Sequence, residues 1–278
     1  MKGSEKLGLG TVQFGLPYGI SNKNGQTSTT EVAKILATAK SYEIEVLDSA
    51  SAYGNSEEVL GKEDLSSFKV ISKFMPESNT KPIFKQLKKS LESLGLNFLY
   101  GYLAHRPMSL LEQPGQWDQL IQFKEERKIK KIGFSLNEPE ELHTLLNKGY
   151  IPEIVQVPFN YFDNRFEDSL ILLKKMNCEI HTRSTFLQGL FFIEPDRLSS
   201  YFNEIKSNLR ELQSSHENLS ASLLNFVLNK DFIDKVIVGV ENTNQLRENI
   251  EGLNNAKDLP PITDKVSNNI LNPSLWKK

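Results

Sequence analysis

The chain has 278 residues, 38% hydrophobic and 24% charged, which suits one α/β barrel domain over residues 1–278 with a large buried core. Its 33 basic and 35 acidic residues leave a formal net charge of −2 with the signs interspersed. That removes the electrostatic basis for a nucleic-acid or anionic-membrane partner. The single cysteine, Cys178, excludes an internal disulfide and a cysteine metal cluster. With no apolar run near the roughly 20 residues of a spanning helix and no apolar leader after Met1, a cytoplasmic protein is expected.

Short β-rich runs alternate with longer amphipathic ones. The expected strands are Leu7–Leu9, Val46–Asp48, Lys69–Lys73, Tyr100–His105, Lys130–Ser135, Ile154–Asn160, Glu179–Ser184 and Lys235–Val240. Helical patterns fall between them at Thr30–Tyr42, Lys81–Leu94, Gln116–Lys128, Glu138–Asn147, Glu167–Met176 and Ser220–Asn229. Thr29 or Thr30 caps the first of these, and Asn137 precedes the proline-started fourth. Eight strands, each followed by a helix, predict parallel βαβ units closing into a (β/α)8 TIM barrel. An open doubly wound sheet has similar content, but Leu7-Gly8-Leu9-Gly10-Thr11 lacks the Gly-x-Gly-x-x-Gly turn such folds carry after the first strand. Leu187–Ser200 is a long irregular stretch, Ser199–Ser215 an extra helix, and the proline-broken tail from Leu259 to Lys278 a wrap or lid.

In such a barrel the C-terminal strand ends share one reactive rim. Asp48 closes the second strand, Lys73 the third and His105 the fourth, on strands about 5 Å apart. Tyr53 follows in the loop Asp48-Ser-Ala-Ser-Ala-Tyr53-Gly54, able to fold back over that rim. Singly, each has an ordinary structural role as cap, solvated cation or packing. Together they form a proton-transfer set: a cation beside a phenol of pKa about 10 favours its phenolate, and Lys73 is that cation, held by Asp48. His105 would meet a carbonyl oxygen, and general acid–base help of this kind contributes about 10² to 10⁴ in rate.

The ordered set Leu9-Gly10-Thr11, Leu47-Asp48-Ser49-Ala50, Tyr53-Gly54, Leu60-Gly61, Ser72-Lys73, Leu103-Ala104-His105-Arg106-Pro107 and Gln245-Leu246-Arg247-Glu248-Asn249 resembles the aldo-keto reductase family nearly end to end. The resemblance implies an NAD(P)H-dependent monomeric barrel enzyme that reduces a small-molecule aldehyde or ketone. Asp48, Tyr53, Lys73 and His105 would be its catalytic residues. It also implies cofactor contacts from Thr11 and Asp48, from Ser135 and Gln156 to the nicotinamide carboxamide, and from Ser184, Leu187 and Gly189 in the loop over the pyrophosphate. Gly239, Glu241, Gln245, Glu248 and Asn249 match the adenosine end.

Two positions depart from the family pattern. Leu136 stands where relatives often carry Asn, and Arg183 where many carry an aromatic that stacks on the nicotinamide. A guanidinium plane can stack on a ring or pair with phosphate; otherwise Arg183 is a salt bridge to a loop carboxylate. NADP-specific relatives place Lys or Arg near the positions that hold Gly239, Glu241 and Gln245, so NADP is expected by resemblance with NAD as the alternative. The substrate pocket is expected to use Phe14, Tyr18, Phe74, Arg106, Tyr161, Phe162 and Leu187–Phe192, a mix suited to a sugar or sugar derivative.

Other classes remain. A regulatory barrel that binds nucleotide with little turnover would not need all four rim residues. An unrelated isomerase or aldolase would use Lys73 as a Schiff-base nucleophile. A metal hydrolase is poorly served by His105, His143, His181 and His216, which lack ligand spacing.

Overall fold

The protein, described here from a computed structural model, is defined over residues 4–78, 80–262 and 265–276. Eight strands run in parallel as β1 (Leu7–Gly10), β2 (Val46–Asp48), β3 (Lys69–Phe74), β4 (Leu99–Ala104), β5 (Ile129–Ser135), β6 (Ile154–Pro158), β7 (Glu179–Arg183) and β8 (Lys235–Gly239). They pair in sequence order and β8 closes on β1, so the sheet is a barrel and the doubly wound alternative falls away.

Strand composition follows from what each face meets. Val46, Ile71, Leu103, Ile154 and Ile237 fill a layer inside the barrel, and the larger apolar set faces the surrounding helices. Registers Gly10↔Asp48, Lys73↔Leu103, Ser135↔Gln156 and Pro158↔Arg183 bring the polar strand ends to one rim.

The helices lie close to the expected ranges, with caps that differ. Helix Thr29–Ser41 is capped by Ser28, whose Oγ accepts from Glu31 N at 3.3 Å. Helix Pro139–Asn147 starts after Glu138, and Glu141 Oε2 accepts from the backbone N–H of both Glu138 and Asn137. His105 lies one residue beyond β4, although its N–H still donates to Phe74 O at 2.9 Å and continues the ladder. Short helices Val12–Gly15 and Ser56–Leu60 are too brief to show a period in the sequence.

A second apolar cluster sits beside the barrel, where Tyr161, Phe162, Leu190, Phe191, Phe202 and Leu209 meet Val266, Ile270 and Leu271 of the tail. The tail therefore wraps, as its proline-broken sequence predicts, and Tyr161 Oη donates to Pro260 O at 2.9 Å. No helix among the described residues is long and apolar enough to cross a membrane.

Candidate active site

A cleft of about 1250 Å³ opens at the C-terminal rim. Asp48, Tyr53 and His105 line it, and behind them lies Lys73, which is fully buried. All three Nζ protons have acceptors: Asp48 Oδ2 at 2.6 Å, Ser49 O at 2.9 Å and Tyr53 Oη at 3.3 Å. Burial works against the Lys73 ammonium, but Asp48 and Tyr53 outweigh it and raise the pKa. Asp48 is saturated from the other side, since Gln156 Nε2 donates to Oδ1 at 2.8 Å.

Tyr53 reaches this point because its loop folds back against the chain after β1. An added Cβ on Gly15 would lie 1.9 Å from Tyr53 O, and Gly54, at φ +58, has Gly15 O 2.3 Å from where its own Cβ would be. Glycine at both positions lets the two backbones touch and fixes the phenol over Lys73. The Tyr53 and His105 rings meet edge to face, centroids 5.8 Å apart. Burial first, then the charges of Lys73, Arg183 and Arg106, push the His105 pKa down to about 3. The imidazole is therefore neutral at physiological pH, and its Nδ1 is buried without a partner among the described residues.

The cofactor candidates divide into wall and support. Thr11, Asp48, Ser135, Arg183, Ser184, Gly189, Gly239, Glu241, Gln245, Glu248 and Asn249 line the cleft. Thr11 is also a brace, its Oγ1 donating to Asp48 O at 3.0 Å and accepting from Ser56 Oγ at 2.9 Å. Gln156 and Leu187 stand behind the wall. The Gln156 amide holds Asp48 while its Oε1 has no partner among the described residues, and the Leu187 side chain is buried in the second cluster. Among the described residues Arg183 does not form the salt bridge to a loop carboxylate. It donates to Leu136 O at 3.0 Å, Asn137 Oδ1 at 2.7 Å and Ser184 Oγ at 3.1 Å, all neutral acceptors.

The expected substrate pocket needs correction. Phe14, Phe74, Tyr161 and Phe162 are buried in the two apolar clusters, where Phe74 packs on Tyr102 and Phe162 stacks on Phe191. Burying such large aromatic area stabilises the fold more than a solvated pocket wall would. Tyr18, Arg106 and Phe192 do line the cleft, joined by Gln13, Lys23, Asn24, Asn137 and tail residues Asn272–Ser274.

Sequence reasoning missed residues 19–25 of the segment after β1. Ile20 N donates to Gln188 O at 3.0 Å and Asn24 Nδ2 to Glu241 Oε2 at 3.2 Å, so this loop ties the β7 and β8 loops together. Gly189, at φ +88, leaves no room for a Cβ, which would fall 1.8 Å from Ser21 Oγ. Ser184, Leu187 and Gln188 also have positive φ, a concentration of costly backbone over the cleft. Signals existed in Asn22, whose Oδ1 accepts from Asn24 N and Gly25 N, a turn side chains of this type form.

The wall suits a dinucleotide. The cleft is about 1250 Å³, and Gln13 Oε1 on its wall is buried without a partner among the described residues. A Cβ at Gly239 would strike that amide at 2.6 Å. Among the described residues no group of three His, Cys, Asp or Glu gathers to hold a metal.

The closed parallel barrel gathers Asp48, Lys73 and Tyr53 at its C-terminal rim, the face on which such barrels carry their active sites. Residues 6–261 match the Aldo/keto reductase family. The chain belongs to that family and is an NAD(P)-dependent oxidoreductase. The uncharacterized oxidoreductase YqkF of Bacillus subtilis is 24% identical, the match covering 90% of this chain and 87% of the relative. A Schizosaccharomyces pombe protein that bears the name of a voltage-gated potassium channel subunit beta is 25% identical over 96% of this chain and 92% of its own. An aldo-keto reductase of Klebsiella pneumoniae, solved in complex with NADPH, shares the fold at a TM-score of 0.68 and 19% identity, covering 94% of this chain and 93% of that one.

Proposed function

We propose that this protein reduces an aldehyde or ketone to the alcohol, with Tyr53 as the proton donor. The observation that carries the reading is the buried Lys73 ammonium, pinned between Asp48 and Tyr53 Oη. A bound nicotinamide dinucleotide supplies the hydride. Tyr53 gives its phenolic proton to the oxygen that becomes an alkoxide, and Lys73 stabilises the phenolate left behind. Asp48 keeps Lys73 charged and oriented. His105, neutral, orients the carbonyl oxygen by hydrogen bonding. Ser135 would hold the carboxamide, with Gln156 acting from behind the wall through its bond to Asp48. Ser184, Leu187 and Gly189 shape the loop over the pyrophosphate, and Gly239, Glu241, Gln245, Glu248 and Asn249 meet the adenosine.

NADP is the cofactor we favour, supported by the NADPH-bound Klebsiella relative. Lys23 in the cleft wall offers a cation that the β8 loop lacks. NAD is the alternative, because Glu241 can accept from a ribose diol. A sugar or sugar derivative fits the mix of Tyr18 with Arg106, and the chain would act as one monomeric domain. The channel-subunit relative favours a second reading, a regulatory barrel with little turnover. Loss of reduced-nicotinamide absorbance with NADPH and with NADH, against a panel of reactive aldehydes, tests the proposal. Steady oxidation supports the reductase; tight cofactor binding with no turnover on any carbonyl supports the regulatory barrel.

A further inference from the structure

We infer that Arg183 makes the cleft discriminate between the two redox states of the nicotinamide, holding the neutral reduced ring more tightly than the cationic oxidised one. The inference rests on the reductase reading above. Arg183 ends β7, paired at Pro158 with β6, and its guanidinium is fixed by Leu136 O, Asn137 Oδ1 and Ser184 Oγ. Those three acceptors set its position without cancelling its charge, and a guanidinium does not give up its proton in a protein.

Asp163 feels the charge of Arg183 without forming an ion pair to it among the described residues. Asp48 is committed to Lys73, and Asp163 pairs with Arg165 at 3.2 Å. Among the described residues Arg183 has no ion pair. Its field reaches the reaction centre: Lys73, Arg183 and Arg106 all act on the His105 imidazole, which burial also disfavours as a cation. Of those three cations, Lys73 is paired with a carboxylate among the described residues.

Hydride transfer requires the ring carbon and the carbonyl carbon to approach within about 3–3.5 Å. A carbonyl whose oxygen meets Tyr53 and His105 therefore places the nicotinamide inside this positive region. As the hydride moves to the carbonyl carbon and the Tyr53 proton to its oxygen, the ring gains one positive charge. Repulsion from Arg183 acts on that oxidised ring alone, so capture of the reduced form and departure of the oxidised one are both favoured. An aromatic residue at this position would act in the opposite sense, because its π face attracts the cationic ring.

The test is the ratio of dissociation constants for NADP⁺ and NADPH, measured on the intact protein by nucleotide fluorescence and competition and repeated with NAD⁺ and NADH. Arg183→Gln and Arg183→Met each remove the charge, and Arg183→Lys keeps it. The oxidised-to-reduced ratio should fall about tenfold or more in the two neutral variants and stay near wild type in the lysine variant. Equal weakening of both forms in the neutral variants would instead make Arg183 an anchor for the cofactor's phosphates and overturn the inference. An unchanged ratio overturns it too. A wild type that binds neither form in either pair would overturn the reductase reading itself.

Discussion

The side-chain amide of Gln156, on β6, donates to Asp48 Oδ1 on β2 at 2.8 Å, a contact across the mouth of the barrel between strands that are not neighbours. It completes the hydrogen bonding of a carboxylate whose other oxygen holds Lys73. Gln156→Leu should therefore cost about 1–3 kcal/mol by leaving a buried acceptor unsatisfied. Chemical denaturation measures that loss, and a fall in turnover should accompany it through a loosened Asp48.

Breaking the ion pair from one side should be far worse. Asp48→Ala strands the Lys73 ammonium, which is fully buried, at an expected cost of about 3–5 kcal/mol. The double variant Asp48→Ala/Lys73→Met should recover much of that stability while remaining inactive. Urea unfolding of the two single variants and the double variant reads the coupling. Additive losses would contradict a mutually dependent pair.

His105 supplies a pH dependence with a definite sign. Its folded pKa is depressed from 6.5 to about 3, so the unfolded chain binds a proton there first. The stability it contributes is present above the unfolded value and is lost as pH falls from 6.5 towards 3. Unfolding free energies between these limits should decline less steeply for His105→Gln than for wild type. The turnover profile should show no break from His105 between pH 5 and 8.

Glu57 should behave in the opposite sense. Burial raises its carboxyl pKa despite hydrogen bonds from Ser72 and Ser90. Its stabilising protonated form is present below the unfolded pKa, and the contribution is lost as pH rises through the folded one. Glu57→Gln should gain stability relative to wild type between pH 4 and 8, which thermal melts across that range would show.

The barrel was legible because eight β-rich runs alternate with amphipathic helices, and strand ends Asp48 and Lys73 needed only parallel register to meet. Tyr53 was legible as a loop residue able to return to the rim, but the reason it returns, contact between Gly15 and the Tyr53–Gly54 backbone, is tertiary. Gln156 bonding Asp48 was illegible because β2 and β6 lie far apart in the strand order. Phe14, Phe74, Tyr161 and Phe162 misled for a related reason: a large aromatic near a strand end can face the helices as easily as the mouth. The tie between Asn24 and Glu241 joins residues at opposite ends of the chain, brought together where β8 closes on β1.

The most direct test is single-turnover reduction of a reactive aldehyde by protein preloaded with NADPH, comparing wild type with Tyr53→Phe after matching their NADPH affinities by fluorescence titration. The account predicts near-equal affinity and a hydride-transfer rate at least about a hundredfold lower in the variant. A variant that binds NADPH normally and keeps most of the wild-type rate would remove Tyr53 as the proton donor.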